Sequence, residues 1–203
     1  TKDANDPVVN TDFSKFDQHF GLPMQEVAKK ILLFAFNRAA HENILRTFDV
    51  KYNIPLLIDK DRAIFGRHGM GSGATGTNPD ENLAHKALQY EAAIQKDKVL
   101  NPHSMCLGDD GILSFSGITV DDVISTYTAH GLEMNPSKQY VDTQSTYYLQ
   151  RYYHVSYRDR DGIMLGVYST YRALGRLLAQ ERFYDPELWS EVNVCLRSLQ
   201  IIE

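Results

Sequence analysis

The run Cys106-Leu107-Gly108-Asp109-Asp110-Gly111-Ile112-Leu113 sets two adjacent carboxylates between apolar flanks. Met105 and Leu107 lead in, Ile112, Leu113 and Phe115 lead out, and Gly108 and Gly111 give the backbone the freedom of a tight turn. The segment therefore reads as a β-hairpin with Asp109 and Asp110 at its tip. Paired carboxylates on a rigid turn suit a hard divalent cation bound through oxygen, although the same triplet also serves as an ordinary solvated turn. A second acidic pair, Asp12 and Asp17, is separated by Phe13-Ser14-Lys15-Phe16 at the end of a short extended run, Pro7 to Phe13. A third candidate is the glycine-dense stretch from Gly66 to Asn78, which contains Ser72, Gly73 and Thr77. Amides of such a loop approach a phosphate or sugar closely, and a following helix adds its dipole. No Gly-Lys-Ser/Thr ends the loop and no βαβ unit follows it, so it is neither a Walker A loop nor a Rossmann fingerprint. If the Asp12 strand pairs with the hairpin, Asp12 faces Asp109. The carboxylates would then hold two Mg²⁺ ions roughly 3.5–4 Å apart, as in phosphoryl-transfer enzymes. The metal charges let neighbouring carboxylates ionise together.

Elements must position these groups. Helical spacing of Val27, Ile31, Phe34 and Ala35 predicts one long helix from Pro23 to about Phe48. An extended segment interrupted by Pro55 follows, and Asn78 with Pro79 is expected to start a helix running to about Gln95, with Leu83, Ala87, Leu88 and Ala92 on its apolar face. Thr119-Val120-Asp121-Asp122 reads as a capped helix start, with the helix ending at Gly131. Tyr147 to Tyr157 is strand-like, and helices are predicted over about Leu165–Gln180 and Pro186–Leu199. Irregular alternation of strands and helices gives an α+β class.

The chain has 203 residues, 43% of them hydrophobic, enough for a sizeable core in one or two domains. Its net charge is -5, from 21 basic and 26 acidic residues, which is not the balance of a nucleic-acid binder. Cys106 and Cys195 match no zinc spacing and are expected to be free thiols in a reducing compartment. No apolar run approaches ~18 residues, so no membrane span is expected.

In this order and spacing, the sites resemble the palm of viral RNA-dependent RNA polymerases. Asp12 and Asp17 resemble motif A, Ser72, Gly73, Thr77 and Asn78 motif B, and Gly108-Asp109-Asp110 motif C. Lys138, in Asn135-Pro136-Ser137-Lys138, stands where motif D would, and Tyr148-Leu149-Gln150-Arg151 resembles motif E. The wording of Phe13-Ser14-Lys15-Phe16-Asp17-Gln18-His19 and of Gly69 to Asn78 is most similar to picobirnaviruses, which have segmented double-stranded RNA genomes; partitivirus polymerases are the near neighbour.

The resemblance implies a right-hand palm, an antiparallel sheet with packed helices. Residues 1–36 and 67–155 would be palm, 37–66 a fingers insertion and 156–203 the start of a helical thumb; the upstream fingers and the rest of the thumb are absent. The basic template channel would then lie largely elsewhere, which accounts for the acidic balance, and the isolated piece would be inactive. Asp12, Asp109 and Asp110 would hold two Mg²⁺ or Mn²⁺ ions. Asp17 and Asn78 would sense the ribose, Ser72 and Gly73 would contact template or nucleotide, and Thr77 would support Asp17 and Asn78. Lys138 would be the general acid for pyrophosphate and Arg151 would lie by the primer strand; the plain alternatives are a solvated lysine and a sheet-surface cation. One departure is that Glu81 stands where picornavirus-like enzymes carry the motif B asparagine, with Asn82 beside it. Implied partners are template and nascent RNA, nucleoside triphosphates and a viral capsid protein, in the virion interior and host cytoplasm. The alternatives are a reverse transcriptase palm, which the carboxylate of Asp17 argues against, and a non-catalytic RNA- or capsid-binding palm.

Overall fold

Val8, Val9 and Thr11 are β-branched and favour a pleated strand, and they build β1 (Val8–Thr11), in which Val9 and Thr11 are buried. The computed structural model describes residues 5–71, 73–179 and 190–202. Next come β2 (Phe13–Ser14), α1 (Phe16–His19), α2 (Leu22–Ala35), α3 (Arg38–Asn53) and the hairpin of β3 (Leu56–Asp59) and β4 (Arg62–Ile64). After the glycine-rich loop come α4 (Thr77–Ile94), β5 (Met105–Leu107), β6 (Asp110–Leu113), α5 (Val120–Ala129), β7 (Glu133–Met134), a 3₁₀ turn at Pro136–Lys138 and β8 (Val141–Asp142). The chain continues through β9 (Ser145–Tyr148), β10 (Arg151–Arg158), β11 (Met164–Tyr168), α6 (Thr170–Leu178) and α7 (Glu191–Ile202). The contacts divide the chain into two units, 1–146 and 147–203.

In the first unit, β1 lies inside an antiparallel sheet of order β5-β6-β1-β8. Thr11 pairs with Gly111, and Leu107 with Asp110 across the hairpin. Helices α2, α4 and α5 enclose the core with the sheet: Phe16, Phe20, Met24, Tyr52, Leu88, Val123, Tyr127 and Leu132 are all buried in one cluster. The capping box at Thr119 forms as read, with the Thr119 hydroxyl accepting from the Asp122 amide and the Asp122 carboxylate accepting from the Thr119 amide.

Three predicted elements differ. The long helix of the N-terminal third is two helices, α2 and α3, because Phe36 and Asn37 turn extended and Asn37 starts a new helix. The helix after the glycine loop starts at Thr77, capped by Gly76 at φ 83, so Asn78 and Pro79 fall at its second and third positions and the Asn78 side chain is free for other bonds. The segment predicted as a helix from Leu165 begins instead as strand β11, and its helix starts at Thr170. Residues Pro186 to Trp189 of the last predicted helix lie outside the described residues; the helix there is Glu191–Ile202.

In the second unit, β11, β10 and the end of β9 form an antiparallel sheet followed by α6 and α7. Leu149 and Gln150 both take positive φ, at 50° and 65°, which folds the strand-like aromatic stretch into a hairpin.

Candidate active site

Residues preceding the carboxylates fix where the carboxylates go. Thr11 opposite Gly111 brings the next residue, Asp12, to the level of Asp110. Gln139 holds Asp12 from the other side: its amide nitrogen donates to the Asp12 carbonyl at 2.9 Å, and its oxygen accepts from the Asp12 amide at 3.0 Å. Asp109 lies in the turn between β5 and β6, and Gly108 before it takes φ 62, a conformation glycine adopts without cost. Burial, and then the neighbouring Asp109 and Asp12 carboxylates, raise the pKa of Asp110. Such mutual repulsion is the load a divalent cation relieves, and an all-carboxylate set of hard oxygens suits Mg²⁺ or Mn²⁺. Among the described residues, no three acidic, histidine or cysteine side chains already stand within reach of a single metal ion.

Asp17, in the first turn of α1, lines an open cleft of about 510 Å³ together with Lys15, Met70, Glu81 and Asp109. Its backbone is locked to the glycine-rich loop, since its carbonyl accepts from the Met70 amide at 2.8 Å. The loop approaches so closely that a Cβ on Gly69 would lie 2.6 Å from that carbonyl oxygen. Glu81, on the first turns of α4, is buried and hydrogen-bonds the Asp17 carboxyl; burial first, then this bond and the charges of Asp17, Asp109 and Asp80, push its pKa up to about 8.

The loop itself closes on Thr77, whose hydroxyl donates to the Ala74 carbonyl at 2.6 Å. Asn78 accepts from the Asn82 side chain at 2.8 Å, and Asn82 in turn accepts from the Gly108 amide at 2.6 Å, tying the start of α4 to the hairpin turn. Gly73, exposed at φ 84, sits in the loop; Ser72 lies outside the described residues. Asp80 is buried with Lys51 and accepts from Lys51 and Tyr52 of α3, which anchors α3 against the loop. Lys138 ends the 3₁₀ turn immediately before Gln139, the residue that grips Asp12. Arg151 opens β10 in the second unit, donates to the Gly166 carbonyl at 3.0 Å and stacks over Tyr168.

Asp109 in the hairpin turn, Asp110 at the start of β6, Asp12 just past the end of β1 and Asp17 on the open cleft thus bring four carboxylates to one end of the sheet. Residues 1–161 match the model of a family described as viral RNA-dependent RNA polymerase. The chain belongs to that family. It is 53% identical to a potential RNA-dependent RNA polymerase of Human picobirnavirus (strain Human/Thailand/Hy005102/-), over all of this chain and 38% of that protein. It superposes on the crystal structure of the RNA-dependent RNA polymerase of a human picobirnavirus with TM-score 0.91 and 53% identity, covering 100% of this chain and 39% of that one. An insertion-loop deletion mutant of such a polymerase gives the same TM-score, with 40% of its chain covered. The chain thus spans well under half the length of these relatives.

Within this polymerase fold, sequence reasoning missed Lys15, Gln139 and the polar face of α4. Lys15 is the one cation lining the cleft among the described residues, and it takes a left-handed φ of 52 that no sequence rule assigns to lysine. Glu81, His85 and Gln89 recur every four residues, a spacing that flags one helix face. Their polarity hides the burial, because a buried polar stripe makes sense only once the groups it bonds are known.

Proposed function

We propose that the whole protein carries out RNA-templated RNA synthesis for viral genome replication and transcription. An RNA 3′-hydroxyl loses its proton to water, its oxygen forms a bond to the α-phosphorus of a nucleoside triphosphate, the α–β phosphoanhydride bond breaks, and pyrophosphate leaves. The observation that carries this reading is the β1–β6 register, which brings Asp12 beside the Asp109-Asp110 hairpin in a chain of the polymerase family. Asp12, Asp109 and Asp110 would hold two Mg²⁺ or Mn²⁺ ions, which when bound lower the pKa of a hydroxyl and neutralise phosphate charge.

The protein's own residues supply positioning, the main resource in phosphoryl transfer. Asp17 and Asn78 recognise the ribose, with Glu81 holding the Asp17 carboxyl. Lys15 faces the triphosphate, and Ser72 and Gly73 meet template or nucleotide on the loop. Lys138 donates the proton that pyrophosphate takes, and Arg151 binds the primer strand. Residues 37–66 serve as a fingers insertion and those after 155 as the start of a thumb. Capsid protein is the further partner, and the enzyme works in the virion interior and host cytoplasm.

The test is ribonucleotide incorporation on single-stranded RNA by the full-length protein with Mg²⁺ or Mn²⁺, beside Asp109→Ala. Loss of a metal ligand removes several kcal/mol of charge stabilisation, so incorporation is expected to fall about a thousandfold or more with the fold intact. Equal product from both proteins sinks the site assignment. RNA binding without synthesis by the parent favours a binding-only palm, and a strong preference for deoxynucleotides would overturn the ribose reading.

A further inference from the structure

His85 is fully buried and takes no part in the reaction described above. One ring nitrogen, Nδ1, lies 2.9 Å from the carbonyl oxygen of Gly108. The other, Nε2, lies 3.3 Å from the hydroxyl of Thr11. A carbonyl oxygen only accepts, so Nδ1 carries the proton; Nε2 is then an acceptor and the Thr11 hydroxyl donates to it. Burial, the dominant cause, lowers the imidazole pKa to about 4, in keeping with this neutral tautomer.

The two partners have something in common. Thr11 is the residue immediately before Asp12, and Gly108 the residue immediately before Asp109. They belong to different parts of the sheet, β1 and the β5–β6 turn, and are not paired with each other in its ladder. The imidazole therefore spans the two backbone points from which the two carboxylates spring. Its surroundings hold it still. Phe13 and Tyr127 meet the ring edge-on at centroid distances of 5.4 and 5.6 Å, and Phe16 lies at 6.1 Å. A Cβ on Gly111 would come within 2.5 Å of the ring carbon, so glycine is what lets strand β6 close over it. The neighbours of His85 on the same helix face act on the same hairpin, with Gln89 donating to the carbonyls of Met105 and Ile112 at 2.9 and 3.3 Å.

We propose that His85 is a positioning residue that sets the separation of Asp12 from Asp109 by bridging Thr11 and Gly108, and so tunes the affinity of the acidic site for divalent cations. This rests on the reading of Asp12 and Asp109 as metal ligands. Any buried imidazole needs partners for both ring nitrogens; what singles out His85 is that both partners are the residues adjoining the ligands.

The experiment is Mn²⁺ binding to the full-length polymerase without RNA or nucleotide, read by the electron paramagnetic resonance of free Mn²⁺. His85→Phe keeps the aromatic packing and removes both bonds; Thr11→Val keeps the branched shape and removes one. Groups that orient metal ligands typically contribute tenfold or more to affinity. His85→Phe is therefore expected to weaken Mn²⁺ binding about tenfold, Thr11→Val less, and the double variant no more than His85→Phe alone. The Mg²⁺ concentration for half-maximal incorporation should rise in parallel while the KM for template RNA stays put. Unchanged Mn²⁺ affinity in both variants, with or without loss of activity, overturns the proposal and leaves His85 a packing residue. Asp109→Ala separates the two levels: if it binds Mn²⁺ as the parent does, the ligand reading itself fails, whereas lost binding there with unchanged binding in His85→Phe and Thr11→Val defeats only the bridge.

Discussion

At the residue scale, the acidic cleft is held by an acid that is not ionised. Glu81 is 7% exposed and hydrogen-bonded to Asp17, and two carboxyls bond in this way only if one keeps its proton. Its pKa is raised from 4.5 to about 8 in the fold, so the stability it contributes is complete below pH 4.5 and is lost as pH rises through 8. His85 has the opposite sign. Its pKa falls from 6.5 to about 4, so its contribution is complete above pH 6.5 and is lost as pH falls through 4. Between pH 6.5 and 8 the Glu81 effect acts without the other. Glu81→Gln, which cannot ionise, is expected to flatten the decline in Tm over that interval in metal-free buffer, measured by thermal unfolding of the full-length protein. Parallel Tm–pH lines for parent and variant would refute the protonated carboxyl. The same substitution bears on function, because a Gln amide still reaches Asp17. Ribose selectivity should survive Glu81→Gln and weaken in Glu81→Ala, as read by competition between ATP and dATP.

At the element scale, the site is a hairpin laid on the polar face of one helix. Asn82, His85, Lys86 and Gln89 of α4 bond in turn to Gly108 N, Gly108 O, Ser104 O and the Met105 and Ile112 carbonyls. The hairpin and the capped helix α5 were legible in the sequence because Gly-Asp-Asp-Gly and Thr-x-x-Asp act locally: each residue type satisfies its own turn or cap. The break between α2 and α3 was not, since Phe36-Asn37 contains neither Gly nor Pro and the apolar spacing runs on through Phe34 and Ala35, which hides the helix start that Asn37 offers. Strand β11 was missed for a related reason. Met164-Leu165-Gly166-Val167-Tyr168 is a short apolar run that helix and strand share equally, and only pairing with β10 settles it. The polar stripe of α4 was hidden because its partners are backbone groups 16 to 26 positions away. Its tight fit gives a test. Gly111→Ala would drive a methyl to 2.5 Å from both His85 and the Thr11 hydroxyl, and overpacking of this kind costs about 1–3 kcal/mol. Urea unfolding should show that cost in the parent and a smaller one in a His85→Ala background, where the ring is gone. Equal costs in both backgrounds would show that the ring is not what the methyl meets.

At the scale of the whole molecule, many large apolar side chains among the described residues are open to solvent. In the first unit, Phe34 is 93% and Phe65 76% exposed, with Phe36, Leu57, Ile58 and Ile64 also open; in the second, Tyr171 and Leu178 are each 88% exposed. Single exposed hydrophobics are ordinary, but Leu57, Ile58, Ile64 and Phe65 stand open together on one short hairpin, a concentration that isolated soluble proteins tend to avoid. The polymerases this chain resembles are more than twice as long, and it covers 38% of the picobirnavirus relative. The residues that read as a palm are therefore expected to need neighbours for solubility as much as for catalysis. Expressed alone, residues 1–203 should keep the buried cluster around Phe20, Tyr52 and Tyr127, with a near-ultraviolet circular dichroism signal from those packed rings. The same material should bind an apolar dye strongly, elute as an oligomer in size-exclusion chromatography, and incorporate no nucleotide. Replacing Phe34 and Phe65 by Ser should lower dye binding and shift elution toward the monomer while changing the unfolding free energy by no more than about 0.5 kcal/mol per site, as expected for surface positions. A monomeric, dye-silent parent would show that the open faces carry no association energy. A large loss of Tm in the double variant would show that these rings belong to the core after all.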